Sequence, residues 1–218
     1  ITPLLTNTVH SARQGRNRAF VPFVLARNGV WMMDLMLHVG AHRNASTSFQ
    51  AYLWVNRLRL AKLGLTCWTP RRTRDGLMAG LLRHPALITI EDERKAIRSL
   101  GRMRVEFDRL ERGGQDALLI SEENMIGSME NNVNTRRLYA QTRARLERFR
   151  GGFSKHCARI LLTTRSYERY WSSVLGYYIK TGHGLPAQAV VDALAEQPVR
   201  WSRIVRDISA VFPNAQII

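Results

Sequence analysis

Lysine, cysteine, acidic residues and long apolar runs are all scarce in this chain, and each shortage closes off a reading. Only Lys62, Lys95, Lys155 and Lys180 are lysines, so nearly all of the 33 basic residues are arginines. That bias is what a GC-rich coding sequence produces, so part of the formal charge of +16 is compositional. Cys67 and Cys157 are the only cysteines; far apart and without metal-ligand spacing, they are expected as reduced, buried thiols. The best candidate for a membrane span, Ala19 to Val39, is broken by Arg27, Asn28 and Asp34, whereas a span needs ~20 uninterrupted apolar residues. The N-terminus has no apolar stretch followed by a cleavage site. No membrane span is expected, and a cytoplasmic location is the default expectation.

What remains is the composition of a folded protein. The 218 residues suit one domain large enough to bury a core unaided, and the charged and apolar fractions argue against disorder. The excess of 33 basic over 17 acidic residues draws in polyanions: nucleic acid, anionic membrane or small anionic ligands. It is spread from Arg13 to Arg206 without a long basic block, and no helix-turn-helix, RNP or zinc pattern accompanies it, which disfavours nucleic acid as partner. Residues 1–31 lack acidic residues and any clear period, and Met32 and Met33 directly precede the first convincing strand. The expected division is a basic extension over 1–31, either flexible or not native, and a folded domain over 32–218. N-terminal peptide mapping of the native protein separates those two alternatives.

Apolar spacing gives the elements. Leu35 to Val39 reads as a strand; Thr47 to Lys62 as a helix with Phe49, Leu53 and Leu60 on one side, ended by Gly64; Leu65 to Trp68 as a second strand. TPRRTRDG looks like a turn. Ala96, Leu100, Met103, Phe107 and Leu110 recur at helical spacing until Gly113 and Gly114 stop them. Ala117 to Ile120 is a buried-strand candidate, ENNVNT a polar loop, and Thr135 a cap for a helix carrying Leu138, Leu146 and Phe149. Arg159 to Thr164 reads as a strand with Arg165 at its carboxyl end, followed by a helix through Tyr178. Pro186 and Pro198 open two more helices, and AQII begins a last strand. Strands alternating with helices predict an α/β fold: a three-layer, P-loop-like domain with a central parallel sheet flanked by helices. A domain of that kind rarely ends on a strand just begun, so further C-terminal elements are expected.

In such a sheet ligands bind beyond the carboxyl ends of the strands. Three segments converge there: GAHRNASTS, SEEN and TTRSYERYWSS. The first enters a helix, where free backbone N–H groups and the helix dipole attract anions, and it adds Arg43 with Ser46, Thr47 and Ser48. It lacks the GK[ST] of a nucleoside-triphosphate loop, having Ala45 and Ser46 where Gly and Lys would stand. Serines and threonines there serve equally well as plain helix caps. Arg165 and Ser173, two turns apart across a strand end and a helix, make a second candidate anion site or an ordinary surface pair. Glu122 and Glu123 are a candidate general base or a solvated pair, and His42 a base or a residue that touches phosphate. Tyr167, Tyr170, Trp171, Tyr177 and Tyr178 line a pocket or fill the core.

Taken together these segments resemble the sulfotransferases that use 3′-phosphoadenosine 5′-phosphosulfate (PAPS). The resemblance is strongest to their bacterial branch, which opens with a strand and a loop of the form HIGxHKTGTTSxQ. Here that stretch reads HVGAHRNASTSFQ, His38 to Gln50. The family's second signature, an arginine after a strand with a serine eight residues on, is matched by Arg165 and Ser173. LLISEENM, Leu118 to Met125, resembles the intervening strand ending in SSE. The resemblance runs from Met33 to the C-terminus.

It implies a transferase that moves a sulfuryl group from PAPS to a hydroxyl or amine, with no metal. Ser46, Thr47 and Ser48, with backbone N–H groups from Asn44 and Ala45 onward, would hold the 5′-phosphate, and Arg165 and Ser173 the 3′-phosphate. Arg43 would supply the cation for the leaving group, and Glu123 the base, with Glu122 and His42 behind it. The acceptor, whether carbohydrate, lipid, protein or small metabolite, stays open. Where family members have Lys, Gly and Thr, this chain has Arg43, Ala45 and Ser46. Arginine is a planar fork and not a compact point donor, and Ala45 adds a Cβ where the backbone is expected to approach phosphate or adopt positive φ. These departures admit a catalytically weak nucleotide- or nucleic-acid-binding relative, and a P-loop nucleotide kinase or NTPase is the alternative enzyme.

Overall fold

The computed structural model describes residues 33–153, 156–197 and 200–218. The expected extension over 1–31 and the helix-opening Pro198 lie outside the described residues. The sheet has five strands: β1 (Asp34–His38), β2 (Leu65–Trp68), β3 (Ala117–Ser121), β4 (Cys157–Leu161) and β5 (Gln216–Ile217). Their order is β2-β3-β1-β4-β5, and every pairing is parallel. The α/β fold is as expected from the alternation of strands and helices, because parallel neighbours require a crossover. Strand β3 is buried at all five positions, and Leu35 and Leu37 of β1 are fully buried. Helices therefore cover both faces, which is why these strands read as apolar runs without alternation.

The helices are α1 (Ser46–Lys62), a single turn α2 (Pro70–Arg72), α3 (Ile90–Arg112), α4 (Met129–Asn134), α5 (Thr142–Phe153), α6 (Tyr167–Tyr178), α7 (Gln188–Glu196) and α8 (Trp201–Val211). The apolar ladder of α3 buries Ala96, Met103 and Phe107. A capping box opens that helix: Thr89 Oγ1 accepts from the Asp92 N–H, and Asp92 accepts from the Thr89 N–H. Phe107 stacks on Trp68 of β2 and touches Phe153 of α5, linking the sheet to the helical layer.

Four local readings are corrected. TPRRTRDG is not a plain turn: Pro70 starts α2, and a wide helical turn over Thr73–Leu77 follows, with Gly76 at φ 80°. ENNVNT is helical as part of α4, because Ser128 caps it through the Asn131 N–H and Asn132 is tied down at both ends of its amide. Asn132 donates to Tyr170 Oη and accepts from the Tyr139 N–H. Thr135 consequently closes α4 instead of opening the next helix, and Leu138 packs in the core ahead of α5. Strand β4 spans Cys157–Leu161, so Arg165 stands four residues past the strand, on an extended link. Cys67 and Cys157 are free thiols, half-buried and buried, and burial pushes them up to about 11 and about 12.

Candidate functional site

The chain leaves β1 toward β2 on one side of the sheet and leaves β4 toward β5 on the other, so the topological switch lies between β1 and β4. The two loops that follow those strands are laced together. The Ala41 N–H donates to Thr163 O at 2.8 Å, the Thr163 hydroxyl donates to Gly40 O at 2.9 Å, and the Asn44 amide donates to Thr163 O at 2.8 Å. Gly40 has φ +104°, and a Cβ there would lie 3.1 Å from Glu123 Cβ. A glycine at this point lets the β1 loop run directly over the end of β3.

Arg43 and Ala45 both adopt left-handed backbone, at φ 62° and 59°. Ala45 is the N-cap of α1 and has no side-chain oxygen to offer, so the first-turn N–H groups of Ser46, Thr47 and Ser48 keep their donors for an incoming acceptor. The Phe49 N–H makes the first helical bond, to Ala45 O. Thr47 and Ser48 are exposed, whereas Ser46 is buried at the rim. The Arg43 Nε–H donates to Ser173 Oγ at 3.0 Å, and its guanidinium stands 5.1 Å from the ring centre of Tyr177. Arg165 donates through Nη1 to Arg43 O at 2.9 Å. Among the described residues, neither Arg43 nor Arg165 forms an ion pair with a carboxylate.

The end of β3 is built differently. Glu122 is fully buried and accepts from the Thr73 hydroxyl at 2.6 Å, the Asn124 N–H at 3.1 Å and the Arg74 fork at 2.7 to 3.2 Å. Glu123 accepts from the Gln50 amide at 2.5 Å and from Arg74 Nη2 at 3.0 Å. Burial alone would push the Glu123 carboxyl up. Its own backbone N–H, the Gln50 amide and Arg74 together bring it below the usual carboxylate value. His42 is buried, with Nδ1 2.9 Å from Tyr139 Oη and Nε2 3.1 Å from Asn124 Oδ1. Since Asn124 Oδ1 can only accept, Nε2 carries the proton and Nδ1 accepts from the Tyr139 hydroxyl. Burial holds this imidazole neutral, outweighing the pull of Glu123. Arg145 braces the same loop by donating to Asn124 O at 2.7 Å.

These elements surround an open cavity of about 740 Å³. Of the residues singled out in the sequence, His42, Arg43, Ala45, Ser46, Thr47 and Ser48 line it, with Glu123, Arg165 and Ser173. Asn44 turns toward Thr163 and Glu122 sits behind the wall, so neither is in the lining. The aromatic group divides: Tyr170 and Trp171 are core, and Tyr177 and Tyr178 face the cavity.

Sequence reasoning missed Gln50, Arg74, Asn124 and Tyr139, the residues that hold the carboxylate wall. Gln50 carried a signal, standing one helical turn after Ser46 and so on the same face of α1, and Asn124 lay within the SEEN segment. Arg74 and Tyr139 reach the site from distant segments with no local pattern. The chain matches no known family model, no curated protein and no solved structure.

Proposed function

We propose that the chain is a sulfotransferase that passes the sulfuryl group of PAPS to a hydroxyl or amine acceptor. One observation carries this reading: a single cavity joins an uncapped helix N-terminus, rich in hydroxyls, to a second cluster of two carboxylate-free guanidiniums and a serine hydroxyl. A nucleotide with phosphate on both ends of its ribose fits such a donor set. A site with one anion-binding end does not call for one. Amides and hydroxyls of Ser46, Thr47 and Ser48 would hold the 5′-phosphate, and Arg165 and Ser173 the 3′-phosphate. Bound there, PAPS supplies an activated sulfuryl group for in-line transfer, in which positioning and charge stabilisation supply the rate.

The acceptor must lose a proton as it attacks. Glu123 and Glu130 both line the cavity; Glu123, beside the loop after β1, is kept ionised, but its oxygens are engaged by Gln50 and Arg74. It accepts that proton by giving up one of these bonds, which limits it to a weak base. Neutral His42, with both ring nitrogens engaged, is a wedge between the β1 and β3 loops.

Calorimetry tests the reading. Adenosine 3′,5′-bisphosphate is expected to bind without metal, and to bind about tenfold more weakly in Arg165→Ala. Binding of ATP only with Mg²⁺ would replace it with a P-loop kinase or NTPase. Steeply salt-dependent binding of DNA, with no response to either nucleotide, would replace it with a nucleic-acid-binding role.

A further inference from the structure

We infer that Arg43 is the second guanidinium of the 3′-phosphate subsite, and thereby sets the preference for nucleotides carrying that phosphate. This rests on the nucleotide reading above and divides the labour within the same cavity. The loop cation was expected over the 5′ end, where the leaving group departs. Its side chain runs the other way. The Nε–H is spent on Ser173 Oγ at 3.0 Å, and the guanidinium lies against Tyr177, so it is held on α6.

Arg165 is tied to the same loop through its bond to Arg43 O. Arg43, Arg165 and Ser173 thus line one cavity, and neither guanidinium is paired with a carboxylate among the described residues. Arg43 uses one of its five N–H groups on Ser173 and keeps the others for a ligand, a sharing that a lysine ammonium cannot reproduce in one plane. Two like charges lining one cavity are relieved by a dianion, and charge-assisted, forked contacts to phosphate are the strong ones. The third arginine in the cavity lining, Arg74, is already bound to Glu122 and Glu123. The 5′ end is left to amides and hydroxyls.

The test compares adenosine 3′,5′-bisphosphate with adenosine 5′-monophosphate by calorimetry on the full chain, with competition supplying the weaker constant. Native protein, Arg43→Ala and Arg165→Ala are titrated with both. Each substitution is expected to reduce the preference for the bisphosphate by about tenfold. If Arg43→Ala weakens both ligands by the same factor and keeps the preference, Arg43 serves the 5′ end; the inference falls while the nucleotide reading stands. If the native protein shows no preference for the bisphosphate, both fall together. The monophosphate titration also reports whether each variant is folded.

Discussion

The two walls of the cavity are built on opposite principles. On the β3 side, Glu122, Glu123, Arg74, Gln50, Asn124, His42 and Tyr139 form one bonded network in which both carboxylates, the imidazole and the phenol are buried. On the β1–β4 side, Arg43 and Arg165 are bonded only to a hydroxyl and a carbonyl, and the former is exposed. A satisfied polar network specifies structure, because every member that is lost leaves a buried partner unpaired. Cations without counter-charges contribute little to folding and are available to a ligand. Residue type alone would have ranked both walls as equally functional.

Substitutions should separate the walls by their effect on stability. Glu122→Ala strands the Thr73 hydroxyl and the Asn124 N–H beneath Arg74 and is expected to cost about 3 kcal/mol in urea unfolding. A loss under 1 kcal/mol would mean the β3 wall is not the braced one. Acid should expose the same wall. Burial lowers the His42 pKa below its ordinary 6.5, so its contribution is complete above that pH and is lost as pH falls from 6.5 toward the folded value. Glu123, also shifted down, adds to the loss only below its ordinary 4.5. Melting temperature should therefore fall between pH 7 and pH 5, with a flatter slope in His42→Asn; an unchanged slope would remove His42 from the account.

Effects on the other wall are smaller and of either sign. Ala45→Gly relieves a left-handed alanine and should stabilise the chain by about 1 kcal/mol. Were it destabilising, the strained cap of α1 would be wrong. Arg43→Ala and Arg165→Ala should change stability by no more than about 0.5 kcal/mol each while altering ligand preference. A large loss of stability in either would erase the contrast between the walls.

Much of the framework was legible in the sequence. The strand over Leu65–Trp68 and the long amphipathic helix around Met103 and Phe107 follow from short-range apolar spacing, and the structure keeps both. The parallel sheet followed from strands separated by helices. Misreadings fell where long-range bonds outweighed local preference. Asn132 is a loop former by propensity, yet it sits buried in α4 because Tyr139 and Tyr170 satisfy its amide from elsewhere in the chain. Arg165 was placed at a strand end and lies beyond it, because Thr163 leaves the sheet to bind Gly40.

For the site, the sequence determined which chemical groups gather: a helix start with three hydroxyls, two arginines, a serine and two glutamates. Their order along the chain follows the strand ends of an α/β sheet, and that topology alone brings them to one rim. Tertiary structure decided their states. It buried Glu122 and left Glu123 at the wall, neutralised His42 through desolvation, and turned Arg43 toward Ser173. Such outcomes depend on Arg74, Tyr139 and Ser173, from 48 to 130 positions away from the residues they hold. Burial and partner choice are properties of the assembled neighbourhood, and no local pattern encodes them.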